Sequence, residues 1–329
     1  MARSFVLRFA LPTLLTIAML ASTALAKKPA GPLLHTLPQE TRLVASVDLT
    51  ALMGKKGFAR FVAEALSSMP SELQVFRDDA AKVRRVTFVS FAPLGSAATS
   101  DAAVVIEGGF NTRRMHKLMS TIATEGNDDL SVASLPSGAV AIGDKRVVKR
   151  LLTARFGKVK QVAAKGPIRR TLKKLKPKNK RSRAIVIATR GFADFTGLGL
   201  SIDMSSARAT KKTGADAVSI YASTSAQAAK DLATQVQVFR LALKSPGVFI
   251  DIRDRMADAV GSMKTATSIA TAATQLFDAM KLSRPDKKSL VLSSTFDGKA
   301  LVKALVRHFV NATKSDDAGI VDGAEVETL

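Results

Sequence analysis

VVIEGGFNTRRMHKLM, Val104 to Met119, is the stretch that decides the fold class. It opens on β-branched apolar residues, turns at Gly108-Gly109, and from Asn111 onward places Met115, Leu118, Met119 and Ile122 at helical spacing. A strand, a helix cap and an amphipathic helix therefore follow one another directly. LVLSSTFDGKALVKAL, Leu290 to Leu305, can be laid on this stretch without a gap. Phe110 then meets Phe296, the cap Asn111 meets Asp297, Arg113 meets Lys299, and apolar residues coincide at Met115/Leu301 and Met119/Leu305. An ancient duplication accounts for the shared spacing, although any α+β protein reuses such a unit. The expectation is an α+β fold of two similar halves, each a mostly antiparallel sheet with helices packed on one face.

Working outward, Leu43, Ala45 and Val47 alternate along a strand, and Asp48 or Thr50 can cap a helix that carries Phe58, Phe61, Val62, Ala65 and Leu66. Val83 to Phe91 and Ala102 to Gly109 read as adjacent strands. Leu130 to Ile142 reads as a hairpin around Pro136-Ser137-Gly138, and Asp144 caps a helix burying Val147, Val148, Leu151 and Leu152. In the second half Ala184 to Thr189 and Ala217 to Ala222 are strands. Ser223 or Ser225 caps a helix with Ala229, Leu232, Ala233, Val236 and Phe239 inward. A helical stretch is expected over 252–280, a strand over Leu290 to Ser294, and a helix from Asp297.

Residues 1–26 read as a secretory signal peptide. Arg3 and Arg8 form the basic n-region, Phe9 to Leu20 carries no charge, and Ala24-Leu25-Ala26 fits the small-x-small cleavage pattern. An uncleaved anchor is the competing reading, since Phe9 to Ala26 just reaches spanning length. Pro12 and the hydroxyl residues in that segment count against it. The organisation that follows is an extended lead-in over 27–40, a first α+β unit over 41–155, a basic linker over 156–183, a second unit over 184–313 and an acidic, disordered tail over 314–329.

Cysteine is absent, which removes disulfides, thiolate metal sites and cysteine nucleophiles. The sequence offers no Trp and a single Tyr, Tyr221, so the usual stacking platforms for sugars and bases are missing. His35, His116 and His308 stand apart, with no metal-pair spacing. Asp251, Asp254 and Asp258 would share one side of a helix, but Arg253 and Arg255 interleave with them and ion pairing explains them more simply. Gly197 to Ser201, GLGLS, lacks the third glycine of a dinucleotide turn. No catalytic, cofactor or metal constellation is expected.

The formal charge is +23, or +21 once Arg3 and Arg8 are removed, and it is concentrated. Lys145 to Arg183 holds 17 Lys or Arg residues and no Asp or Glu. Within it, Pro167 suits a helix start, Ile168, Leu172 and Leu175 form an apolar stripe, and Arg169, Arg170, Lys173, Lys174 and Lys176 occupy most other positions. These five are the candidate polyanion contacts. The bland reading is a docked interdomain helix whose charges are merely solvated. The functional reading answers the self-repulsion of so many like charges with an anionic partner, an envelope polymer or lipid headgroups. Export removes the chain from the genome, which disfavours nucleic acid.

VAIGDKRVVKRLL, a Gly-containing linker, PIRRTLKKL and RAIVIA together resemble a class of exported bacterial proteins of uncharacterised function. The likeness covers Thr41 to Asp194 and the final strand–helix unit. It implies two similar α+β units and brings no activity or site residue; the density of Lys and Arg departs from that class. The leading expectation is an exported, non-enzymatic protein, periplasmic or extracellular, with a basic contact surface. A structural or accessory envelope protein without a polyanion ligand, and an enzyme whose site assembles only on folding, are the alternatives. Intact mass of the protein from its native envelope is expected to show a chain beginning at Lys27; a membrane-associated chain retaining Met1 or Ala2 would establish the anchor instead.

Overall fold

The computed structural model describes residues 37–53, 58–59, 62–63, 76–92, 101–126, 130–136, 138–155, 166–175, 182–205, 216–242, 245–260, 263, 266–267, 270–271, 274 and 279–296. The chain is α+β and forms a ten-stranded antiparallel sheet. The strands are β1 (Leu43–Asp48), β2 (Val83–Ser90), β3 (Ala102–Gly108), β4 (Leu130–Ser134), β5 (Val140–Asp144), β6 (Ser182–Thr189), β7 (Gly197–Met204), β8 (Asp216–Ser223), β9 (Lys281–Asp286) and β10 (Ser289–Phe296). The helices are α1 (Leu49–Met53), α2 (Arg77–Ala80), α3 (Thr112–Gly126), α4 (Lys145–Arg155), α5 (Pro167–Lys174), α6 (Ala226–Ala242) and α7 (Pro246–Val260). Among the described residues no helix is long and apolar enough to cross a membrane. The segment read as a signal peptide, Lys176, the helix expected from Asp297 and the acidic C-terminal residues lie outside the described residues.

The strand order is β4-β5-β3-β2-β1-β6-β7-β8-β10-β9. Both groups of five strands therefore belong to one continuous sheet, joined by β1 against β6, where two separate sheets were expected. Counted outward from that join, the first group runs 1-2-3-5-4 and the second 6-7-8-10-9. The gapless sequence match sets β3 against β10, yet β3 is third from the join and β10 fourth. Position in the sheet instead sets β3 against β8.

Register explains the two faces. On face A one row crosses all ten strands as Val132, Ile142, Val104, Phe88, Ala45, Ile187, Leu200, Ile220, Leu292 and Leu282. Every member is apolar, because period-two alternation sends each to the same side. α1, α2 and α3 cover its first part with Leu49, Leu52, Ala80, Met115, Leu118 and Met119, while α6 covers its far part with Leu232, Ala233 and Val236. Full burial of one such side chain contributes about 1.5–3 kcal/mol. Two other helices, α4 and α5, lie on face B, so helices occupy both faces and not one as expected.

The expected caps form. Asn111 Oδ1 accepts from the N–H groups of Arg113 (3.1 Å) and Arg114 (3.2 Å), Asp144 Oδ1 from Arg146 (2.8 Å) and Val147 (3.2 Å), and Ser225 Oγ from Ala228 (3.1 Å). Asp79 is buried at 2% exposure and ties α2 to α3, its Oδ1 accepting from the Asn111 N–H at 2.9 Å while Arg114 lies 3.8 Å from Oδ2. Asp79→Ala would remove the buried acceptor of the Asn111 N–H and is expected to lower unfolding free energy in urea by about 1–3 kcal/mol. Its exposed neighbour is the control: Asp78→Ala is expected to stay within about 0.5 kcal/mol.

Candidate functional site

Face B changes character along the strands. Near one end its row is apolar: Ala103, Val89, Val44, Ala188, Gly199, Tyr221 and Val291. Two residues along, Thr87, Ser46, Val186, Ser201, Ser219 and Ser293 bring mostly hydroxyls, and Ser46 Oγ lies 3.0 Å from Thr87 Oγ1. Two further along the row is charged, with Glu107, Arg85 and Asp48 followed by Arg183 and Asp203 across the join. Arg85 stands between two carboxylates, 2.8 Å from Asp48 Oδ2 and 3.9 Å from Glu107 Oε2. Asp203 accepts from Ser201 Oγ at 2.6 Å. Charges so alternate in sign over five neighbouring strands, which lets buried carboxylates and guanidinia neutralise one another.

The basic helices lie on this face. α4 buries Val147, Val148 and Leu151, and α5 buries Ile168, Leu172 and Leu175, all in one core with the apolar row. Together the two helices carry nine Lys or Arg residues and no Asp or Glu. Lys145, Arg146, Lys149 and Arg150 of α4 are exposed, as are Arg170, Lys173 and Lys174 of α5. Arg169 differs: it is half-buried, with Nε out of solvent. The sequence reading singled out α5 alone. The contribution of α4 was present in the same charge run, but only the fold shows that both helices rest on one face.

Two features fix how α5 is held. Gly197 and Gly199 open β7 beneath it, and a Cβ at Gly199 would collide with Thr171 Cγ2, with Ile187 O at 2.8 Å and with Leu175 Cδ1 at 2.8 Å. These glycines are therefore a close-packing surface for a helix, not a phosphate turn. Arg183 from β6 then donates to the carbonyls of Leu172 (3.3 Å) and Leu175, satisfying orphan acceptors at the end of α5. Burial pushes the Arg183 guanidinium below its ordinary range, Asp203 opposes this, and Arg85 adds to it. At the turn between β9 and β10 the Asp286 carboxyl is held below its ordinary range. The causes are the Ser289 hydroxyl beside it, the Lys288 N–H (3.0 Å) and the positive charges of Lys174 and Arg170. The outward charges of α5 thus reach the far hairpin.

The other sequence candidates stay dispersed. His116 lies on α3, with Nδ1 3.5 Å from Ser120 Oγ. On α7, Arg253 pairs with its neighbour Asp254 at 2.7 Å. His35 and His308 are outside the described residues.

No protein-family model matches the chain, and no curated protein matches it in sequence. Among solved structures the chain is similar to TP0453, a Treponema protein, at 8% identity over 86% of this chain and 100% of that one. The TM-score is 0.36, so the likeness supports no argument about this chain.

Gly199→Ala is expected to cost about 1–3 kcal/mol through overpacking and to speed hydrogen exchange of the α5 amides. Gly247→Ala, where the nearest atom to the new Cβ is Ser245 Oγ at 4.0 Å, is expected to be neutral or to gain up to about 1 kcal/mol in helix propensity.

Proposed function

We propose that the chain is an exported, non-enzymatic protein that contacts anionic envelope polymers or lipid headgroups through the outer surface of α4 and α5. The observation that carries this reading is the placement of two helices rich in Lys and Arg and without an acidic residue on one face of the sheet, α4 over β3, β4 and β5 and α5 over β6, β7 and β8. On face A, α6 is dressed differently, for it mixes Lys230 and Arg240 with Asp231. Arg170 and Lys174 are one helical turn apart, about 5.4 Å along the axis, which is within the Debye length of about 8 Å at physiological salt. Their attractions to a polyanion add, and weaken as salt rises. The signal-like Met1 to Ala26 supports export.

We also infer that the two groups of five strands descend from one duplicated unit. The recurring order and the helix that follows the third strand onto face A in each group, α3 after β3 and α6 after β8, support it.

The test holds net charge constant. Changing Arg170, Lys173 and Lys174 together to Gln is expected to lower the salt concentration that elutes the protein from an anionic matrix or from immobilised lipopolysaccharide. Changing the exposed Arg113, Lys117 and Lys230, which lie on face A helices, is expected to lower it much less. Equal losses would mean that bulk charge alone acts, and the local surface would be abandoned.

A further inference from the structure

At the apolar end of face B the next row outward contains two arginines directly opposed. Arg42 precedes β1 and Arg190 follows β6, and the Arg190 N–H donates to Arg42 O at 2.9 Å, extending the ladder by one step beyond the Leu43–Thr189 pair. Alternation from Val44 and Ala188, both in the face B core, places Arg42 and Arg190 on face B. Like charges directly across an antiparallel pair are destabilising. The chain keeps them together all the same. Arg190 is tethered, its Nη2 donating to Gln39 O at 2.8 Å, whereas Arg42 is exposed and its guanidinium makes no hydrogen bond or ion pair among the described residues.

A third guanidinium arrives from α4. Arg150 Nε lies 3.3 Å from Glu40 Oε1, and Glu40 also acts electrostatically on Arg190. Burial pushes the Arg190 guanidinium below its ordinary range, Arg42 pushes it further, and Glu40 opposes both. Arg150 and Arg190 therefore draw on one carboxylate, Arg42 stands across from Arg190, and of the three positive charges two are left uncompensated. Arg146 of the same helix lies 3.8 Å from Asp101, whose carbonyl accepts from the N–H of Phe91, the residue that follows β2.

We propose that Arg42, Arg150 and Arg190 form a discrete binding site for a phosphate monoester group. Guanidinium forks match tetrahedral oxyanions in paired N–H···O contacts, and a dianion balances the two excess charges. Neutralisation removes the cross-strand repulsion, so phosphate binding stabilises the join between β1 and β6. The site is built from strand ends and α4. It shares Arg150 with the α4 surface but takes nothing from α5, so the α5 test of the polyanion reading can fail while this one holds.

The experiment is calorimetric titration of the full chain with inorganic phosphate, at constant ionic strength set by chloride, followed by flotation with phosphatidylcholine vesicles with and without phosphatidic acid. Saturable phosphate binding is expected, together with a rise in Tm that chloride does not reproduce. Arg42→Gln is expected to fold with an unchanged or higher Tm in chloride and to weaken phosphate binding by about tenfold or more. Arg190→Lys keeps the charge but loses the fork, and is expected to bind more weakly than the native protein while remaining folded. The triple Gln variant of Arg170, Lys173 and Lys174 is expected to bind phosphate within about twofold of the native protein, since those residues lie outside the site. Flotation that requires phosphatidic acid and is lost in Arg42→Gln assigns the phosphate to a lipid headgroup; phosphate binding without flotation assigns it to a free phosphate. Absence of saturable phosphate binding, or native-like binding by Arg42→Gln, overturns the proposal.

Discussion

Five residue pairs, from Leu43 against Thr189 to Val47 against Ile185, unite two groups of strands that would otherwise end in open edges at the middle of the molecule. Backbone hydrogen bonds alone would permit other registers. This one is held because a slip by a single residue would exchange the sides of Val44, Ala188 and their neighbours, turning the apolar row of face A toward face B. The helices on both faces inherit their places from that pairing. α5 immediately precedes β6 in the described chain, so its position over β6 and β7 follows from where β6 lands. Arg183, Gly197 and Gly199 then lock it down.

The two faces meet different requirements with the same backbone. Face A carries one row that is apolar from edge to edge, on which helices pack. Face B is apolar where α4 and α5 bury their stripes, and polar toward the end that holds Glu107, Arg85, Asp48, Arg183 and Asp203. Charges in such a row cost desolvation individually, and alternation in sign offsets that cost by giving each a neighbour of opposite charge. The arginine pair at the other end breaks that pattern, since Arg42 and Arg190 face one another across the join.

Much of this was legible in the sequence. The runs around Val86, Val105, Val186 and Val218 are β-branched and apolar, and the caps Asn111, Asp144 and Ser225 follow from side-chain chemistry at helix starts. β7 was missed because its two glycines lower strand propensity and suggest a loop. Leu198, Leu200, Ile202 and Met204 nevertheless alternate, and that was the signal available. β9, KLSRPD, carries little apolar content and a proline, which is the composition of a strand at a sheet margin. The stripe of Ile168, Leu172 and Leu175 predicts the orientation of α5, but the sharing of a face with α4 depends on long-range pairing. Arg42 and Arg190 are unremarkable singly in sequence; only the register sets them opposite.

A ten-stranded open sheet has two flanks on which another chain could grow. At one flank, β9 presents Lys281, Arg284 and Pro285, so an incoming strand would meet cations and a missing amide donor. At the other, β4 is short and lies between α3 and α4, which stand on opposite faces. Polymerisation through strand addition is thus obstructed by chemistry at one margin and by bulk at the other. Among the described residues the hazard of open edges is so met without closing the sheet into a barrel.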